Sequence, residues 1–258
     1  MQSIIFIDLS KFLTLKKILS YPLTIIFYIF FGLTLLIMHV VQVLCNMIGG
    51  YSAHHKSVKL LNKLLVDCTR ILGTTYTYSG HENLIKNVPL IFVSNHQSMY
   101  DISPIEYDLS DYHPKFISKI ELGKGFPSIS YNLRNGGSAL IDRKNGKQAI
   151  EEIKKLALYI QKNNYSAVIF PEGTRSKDGT PKAFKENGLK VLTKYAKDAY
   201  IIPVTLNNTW KLNRYGIFPM NVGTKITIQY HKPLKVSEYK FQEILELTEK
   251  VVTESITT

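Results

Sequence analysis

The chain has 258 residues, enough for one sizeable folded core with an appendage, and its 32 Lys+Arg against 20 Asp+Glu leave a net charge of +12. That balance calls for an anionic partner; nucleic acid is excluded as the leading one, because no basic helix, zinc spacing or aromatic RNA-binding signature occurs. The two cysteines, Cys45 and Cys68, sit in neither metal-ligand nor redox spacing, which argues for a reducing compartment and against a disulfide framework.

The first element is membrane material. No Asp, Glu, Lys or Arg stands between Lys17 and Lys56, and Pro22 to Ile48 reads PLTIIFYIFFGLTLLIMHVVQVLCNMI, long enough as a helix to cross a hydrocarbon core of about 30 Å. The run far exceeds a signal-peptide core and no small-residue cleavage site follows it. Both flanks are basic, with Lys11, Lys16 and Lys17 before the run and Lys56, Lys59, Lys63 and Arg70 after it, whereas a simple span carries its positive bias on one side. A hairpin dipping into one leaflet, with Gly32 as its weak point, is therefore as good an expectation as a spanning helix. The chain divides into a membrane-embedded segment, 1–55, and a catalytic domain, 56–258.

From residue 57 the pattern is that of a soluble α/β domain. Residues 57–72 place Leu60, Leu61, Leu64, Leu65 and Cys68 on one helical stripe. Strands are predicted at 74–79, 89–94, 114–118, 138–141, 166–170, 201–206 and 224–230. Helices are predicted near 99–109, 146–163, 183–197 and 238–255. This alternation predicts an α/β fold with a mixed, largely parallel sheet flanked by helices.

Four segments carry chemistry. The strand IFVSN ends on His96, and Asp101 stands five residues on, where a following helix would begin. A carboxylate bonded to one imidazole nitrogen fixes the tautomer and makes the other nitrogen a general base; the bland alternative is a turn histidine and a helix N-terminal acid. GGSALIDR (136–143) is a strand ending on Arg143. VIFPEGTRSKDG (168–179) offers Glu172, Gly173, Thr174 and Arg175 in a polar loop, where glycine permits close approach and the guanidinium forks onto phosphate. AYIIPVTLNN (199–208) is an apolar strand with Pro203 inside, which predicts an edge or a bulge.

In this order and spacing the four segments resemble the motifs of the glycerol-phosphate acyltransferase family, especially the bacterial 1-acylglycerol-3-phosphate acyltransferases. The resemblance rests on Asn95-His96-xxxx-Asp101, Gly137 to Arg143, Phe170 to Arg175 and Ile202-Pro203-Val204, and FISKIEL (116–122) resembles the segment that puts a lysine, here Lys119, after the first motif. There are departures: Phe184-Lys185-Glu186-Asn187-Gly188 is one residue longer than the usual FKxG, and Tyr200 replaces a common proline.

The resemblance implies the glycerolipid acyltransferase fold and acyl transfer from a thioester, acyl-CoA or acyl carrier protein, to the sn-2 hydroxyl of lysophosphatidate. His96 and Asp101 are then the catalytic pair, with Arg143, Glu172, Gly173, Thr174, Arg175 and Lys119 binding substrate. Glu172 is expected to orient the arginines or a glycerol hydroxyl. Backbone N–H groups near the first motif, or Lys119, are expected to hold the oxyanion. No metal or cofactor is expected. The partners are lipid substrates and anionic membrane lipids, with the catalytic domain on the cytoplasmic face. Another lysophospholipid or an amino-lipid as acceptor stays open, and so does a non-catalytic basic membrane-binding protein; the latter has no use for the His/Asp pair.

Overall fold

The computed structural model describes residues 9–257, with side chains from residue 15 onward, so the side chain of Lys11 lies outside the described part. The chain opens on α1 (Leu9–Arg70), which bends back on itself at Gly50, where φ 57° and ψ −150° lie in a region open essentially to glycine alone. Two arms, 9–49 and 51–70, pack side by side: Met38 on the first meets Leu61 and Leu65 on the second. The apolar run Pro22–Ile48 is thus one unbroken arm and not the hairpin expected within it; the two arms turn at Gly50, beyond the run. Gly32, the expected weak point, continues the first arm as ordinary helix.

A mixed sheet follows, built from β1 (Thr75–Ser79), β2 (Leu90–Ser94), β3 (Pro114–Lys119), β4 (Ala139–Ile141), β5 (Ser166–Ile169), β6 (Tyr200–Asn207), β7 (Lys225–Tyr230) and β8 (Leu234–Lys235). Its order is β1-β7-β6-β2-β5-β3-β4, with β8 on β6 beyond the end of β7. Strands β2 to β6 run parallel; β7 and β8 lie antiparallel to β6, and β1 is parallel to β7. The helices are α2 (Ile102–Asp108), α3 (Ile129–Asn135), α4 (Gly146–Asn163), α5 (Glu186–Tyr195) and α6 (Phe241–Glu254).

Both faces of the sheet are covered, which is why β2 reads as an unbroken apolar run and is buried throughout. Its alternate residues enter two cores. Leu90 and Phe92 join Phe27 and Cys68 of α1, Leu72 just past its end, and Ile105 of α2 on one face. Ile91 and Val93 join Ile153, Leu156, Leu189, Leu192 and Ile244 from α4, α5 and α6 on the other. The first arm of α1 thus contributes a fully buried side chain, Phe27, to the core of the sheet.

Pro203 is not at an edge. It lies inside β6, opposite Val93 of β2, where the other flank of β6 changes partner from β8 (at 200–201) to β7 (at 204–207). Tyr200 N–H points toward β2, bonding the Pro89 carbonyl at 3.0 Å. The alternation of a strand turns position 203 the other way, into that gap, where a missing N–H breaks no ladder bond. The carbonyl of Pro203 accepts from His231 N–H at 2.9 Å.

Candidate active site

The first, second and third motifs all lie past the carboxyl ends of parallel strands, the position where open α/β sheets place their sites. His96 follows β2, Phe170 to Arg175 follow β5, Lys119 closes β3 and Arg143 follows β4.

The start of the first motif is pinned by Asn95, buried beyond the last ladder pair of β2. Its side-chain amide accepts from Leu206 N–H at 2.8 Å and donates to Leu206 carbonyl at 2.9 Å, continuing the β2–β6 pairing with a side chain in place of a strand. Gln97 holds the other side, its Oε1 accepting from Thr209 N–H at 3.1 Å. Met99–Asp101 then form a single 3₁₀ turn capped by Ser98, whose Oγ accepts from Tyr100 N–H at 3.3 Å, and α2 begins.

That turn folds Asp101 back over its own loop. One oxygen, Oδ2, accepts from Gln97 N–H at 2.7 Å and Ser98 N–H at 2.9 Å, and stands 2.7 Å from His96 Nδ1. Asp101 is fully buried and the His96 side chain retains 17 % exposure. With two amides already donating to a carboxylate oxygen, the third contact requires Nδ1 to carry its proton and donate as well. In the neutral imidazole this tautomer leaves Nε2 as the nitrogen without a proton. The imidazole is further fixed by stacking on Phe170, with centroids 4.3 Å apart and planes at 21°.

The third motif is tied to the first through Glu172, which is 2 % exposed. Its Oε1 accepts from His96 N–H at 2.9 Å and its Oε2 from Lys182 N–H at 3.3 Å. Ser176 N–H donates to the His96 carbonyl at 2.8 Å. Burial raises the Glu172 pKa, and these amides, His96's first, oppose it. The carboxylate therefore faces backbone; its hydrogen bonds go to neither arginine it was expected to orient. The N–H groups of His96, Gln97 and Ser98 are likewise all engaged by carboxylates, which removes these three as oxyanion donors.

Arg143 reaches the third motif, its guanidinium donating to the Gly173 carbonyl. Thr174 and Arg175 are exposed on the loop; Lys182 Nζ donates to Thr174 Oγ1 and to the Arg175 carbonyl, each at 2.9 Å. The Arg175 guanidinium and the Lys119 ammonium are exposed, with no hydrogen bond or ion pair among the described residues. Lys119 stands on the second strand over from β2, about 10 Å sideways at the standard strand spacing. The far tip of the loop rests on Trp210: a Cβ on Gly179 would lie 2.4 Å from its indole nitrogen, and Gly179 has φ +88°.

Lys182, Asn95 and Trp210 received no role from the sequence. Lys182 is one of many surface lysines, and only the folded loop distinguishes it. Asn95 had a signal in its place beside the histidine.

Comparison with known proteins identifies the family. The family model "Acyltransferase" matches residues 75–207, just over half of the chain and all four motifs, and the chain belongs to that family. Among curated relatives, the 1-acyl-sn-glycerol-3-phosphate acyltransferase of Cocos nucifera is 32 % identical over 184 residues, 70 % of this chain and 56 % of its own length. The Saccharomyces cerevisiae protein of the same name is 29 % identical over 219 residues, 82 % of this chain and 68 % of its own. The chain thus spans only part of the plant relative. The crystal structure of the 1-acyl-sn-glycerophosphate acyltransferase PlsC of Thermotoga maritima shares the fold, with a TM-score of 0.77 over 93 % of this chain and 95 % of that one, at 23 % identity.

Proposed function

We propose that the chain transfers a fatty acyl group from a thioester to the sn-2 hydroxyl of 1-acyl-sn-glycerol 3-phosphate, giving phosphatidate. The observation that carries this reading is Asp101 Oδ2, which two backbone amides and His96 Nδ1 share, so that the imidazole is oriented with its basic nitrogen unprotonated beside a loop rich in phosphate-binding groups. The names of the curated relatives support the acceptor.

In this mechanism Nε2 takes the proton of the attacking hydroxyl as its oxygen bonds to the thioester carbonyl carbon. The imidazolium so formed is stabilised by Asp101, and the proton passes to the departing thiolate as the carbon–sulfur bond breaks. The alcohol is itself the nucleophile, so no acyl-enzyme is needed. Arg143 and Arg175, with the Thr174 backbone N–H, bind the acceptor phosphate, Gly173 permitting close approach; the phosphate carries about −1.5 to −2 charges if it titrates like other phosphate monoesters. Lys119 is the side chain assigned to the oxyanion in this scheme. Glu172 serves both halves of the site by fixing the loop to His96. No bound cofactor enters this scheme; the donor is acyl-CoA or an acyl carrier protein thioester, and with a donor of that kind the catalytic domain would face the cytoplasm. In this reading the apolar arm of α1 holds the site at a lipid surface, which its length and composition support.

The test is an assay of purified protein in detergent, offering lysophosphatidate and lysophosphatidylethanolamine with each donor type. Phosphatidate alone should form, and the His96→Ala chain should make none. Equal rates with both acceptors would overturn the assignment of the phosphate site.

A further inference from the structure

The exposed apolar surface does not end with α1. Two loops of the catalytic domain lie against the first arm and expose large apolar side chains beside it. One, residues 120–128, follows Lys119; Ser128 Oγ donates to the Leu35 carbonyl at 2.7 Å and Ser128 N–H to His39 Nδ1 at 3.2 Å, while Phe126 is 50 % exposed. The other, residues 214–219, is reached from β6; the Ile217 carbonyl accepts from Tyr28 O–H at 2.6 Å and the Phe218 ring meets Tyr21 edge-on at 5.6 Å, while Ile217 is 76 % exposed. Their contact points on the arm, Tyr21 and Leu35, are fourteen residues apart, about 21 Å along the helix. Between them Tyr100, inside the first motif, packs edge-on against Phe27 at 5.9 Å and Phe31 at 6.1 Å. The arm's own outward stripe, including Ile25, Ile29, Leu36 and Val40, is exposed over the same length.

We infer that these two loops are a membrane-docking surface of the catalytic domain in their own right: with the arm's stripe they seat the protein on a lipid interface, one loop on each side of the catalytic motif. Nothing in folding requires side chains such as Ile217 and Phe126 in water, and an apolar surface of this extent marks a binding face. The occupant is a bilayer because the surface adjoins the apolar arm. It is also edged by cations, Lys124 on one loop and Arg214 on the other, with Tyr215 beside Lys17 at 5.8 Å, an aromatic and basic margin suited to anionic headgroups. The arm then lies along the interface in this region, and the acceptor reaches the site from the plane of the lipid between the loops.

Depth can be read without activity, so the test is independent of the proposed reaction. Full-length Phe126→Trp and Ile217→Trp chains, reconstituted on phosphatidylglycerol/phosphatidylcholine vesicles, are compared with the unaltered chain, whose single tryptophan is Trp210. The added fluorescence at both positions should be quenched by lipids brominated near the headgroup end of the acyl chain and be shielded from iodide. Quenching by iodide and not by bromolipid at either position would overturn the inference. A Phe126→Ser/Ile217→Ser chain should retain its melting temperature and its rate in detergent micelles, and lose about tenfold on acceptor embedded in vesicles. An equal rate on vesicles would also overturn it.

Discussion

At the residue scale the site depends on one oxygen. Asp101 Oδ2 serves three donors at once, and replacing Asp101 by Asn puts an amide where two backbone N–H groups and an imidazole N–H all require an acceptor. Asp101→Asn should lower kcat by about 10²–10⁴ with little change in acceptor KM, because the damage is to tautomer and orientation. His96→Ala should remove turnover while the melting temperature, followed by circular dichroism in detergent, stays within a degree or two; a residual rate within tenfold of the unaltered chain would dismiss His96 as the base. Arg143→Ala should raise the acceptor KM about tenfold or more and leave kcat nearly intact, and an unchanged KM would remove it from the phosphate site. The family resemblance made His96, Asp101 and the two arginines candidates in the sequence, and the structure brings His96 and Asp101 together. The bonds of Glu172 were not legible there, because an acid in a polar loop looks alike whether it meets solvent, an arginine or an amide 76 residues away.

At the scale of elements, α1 shows what periodicity can and cannot say. Its apolar length was plain in the sequence, but the bend was not at the glycine in the middle of that run. Glycine alone does not break a helix; a backbone angle that only glycine adopts does, and the signal that went unread is Gly49-Gly50, a turn dipeptide that closes the apolar run. Gly50→Ala should cost about 1–3 kcal/mol and lower the melting temperature, although a methyl there would meet no neighbour, since the cost is in φ/ψ alone. Gly32→Ala should leave stability unchanged or raised. Helix α3 escaped prediction because seven residues are too few to show a period. Pro203 misled because the rule about edges is a rule about N–H groups: β6 is central, yet one register position on its flank has no partner to disappoint. The strands came through best, since each is a short apolar or β-branched run bounded by turn residues, and a parallel sheet covered on both faces leaves little else for such runs to be.

At the scale of the whole molecule, two of the junctions between the hairpin and the catalytic domain carry consequences. At the elbow a buried polar cluster brings Glu106 of α2 and Lys115 of β3 together with Tyr51; Lys115 Nζ donates to Tyr51 O–H oxygen at 2.9 Å and Asn132 Nδ2 to Glu106 Oε1 at 3.2 Å. Burial pushes the Glu106 carboxyl up to about 7, opposed by Lys115, and pushes the Lys115 ammonium down, opposed by Glu106. A carboxyl whose folded pKa exceeds its unfolded value binds its proton more tightly in the native state. Its contribution to stability is therefore present at pH 4–5 and is lost as pH rises to about 7. The melting temperature of the unaltered chain should fall relative to that of Glu106→Gln between pH 5 and 7. His54, His55 and His113, in the same cluster, titrate in both chains and largely cancel in the difference; parallel curves would show that Glu106 ionises normally.

The second junction is Phe27, which belongs at once to the membrane arm and to the core that holds Leu72, Phe92 and Tyr100. A boundary at residue 55 therefore cuts through a shared core, and a chain shortened to 56–258 should be recovered aggregated or molten, judged by lost near-ultraviolet dichroism. The bonds that close this junction also set a schedule. Thr24 Oγ1 waits for Met220 N–H and Tyr28 for the Ile217 carbonyl, partners 196 and 189 residues downstream. At about 5–20 residues per second, a ribosome delivers them roughly 10–40 s after the arm has emerged. Throughout that interval the inner face of the arm has no protein to cover it, so delivery to lipid has to come before folding, and the catalytic domain must assemble around a helix already in place.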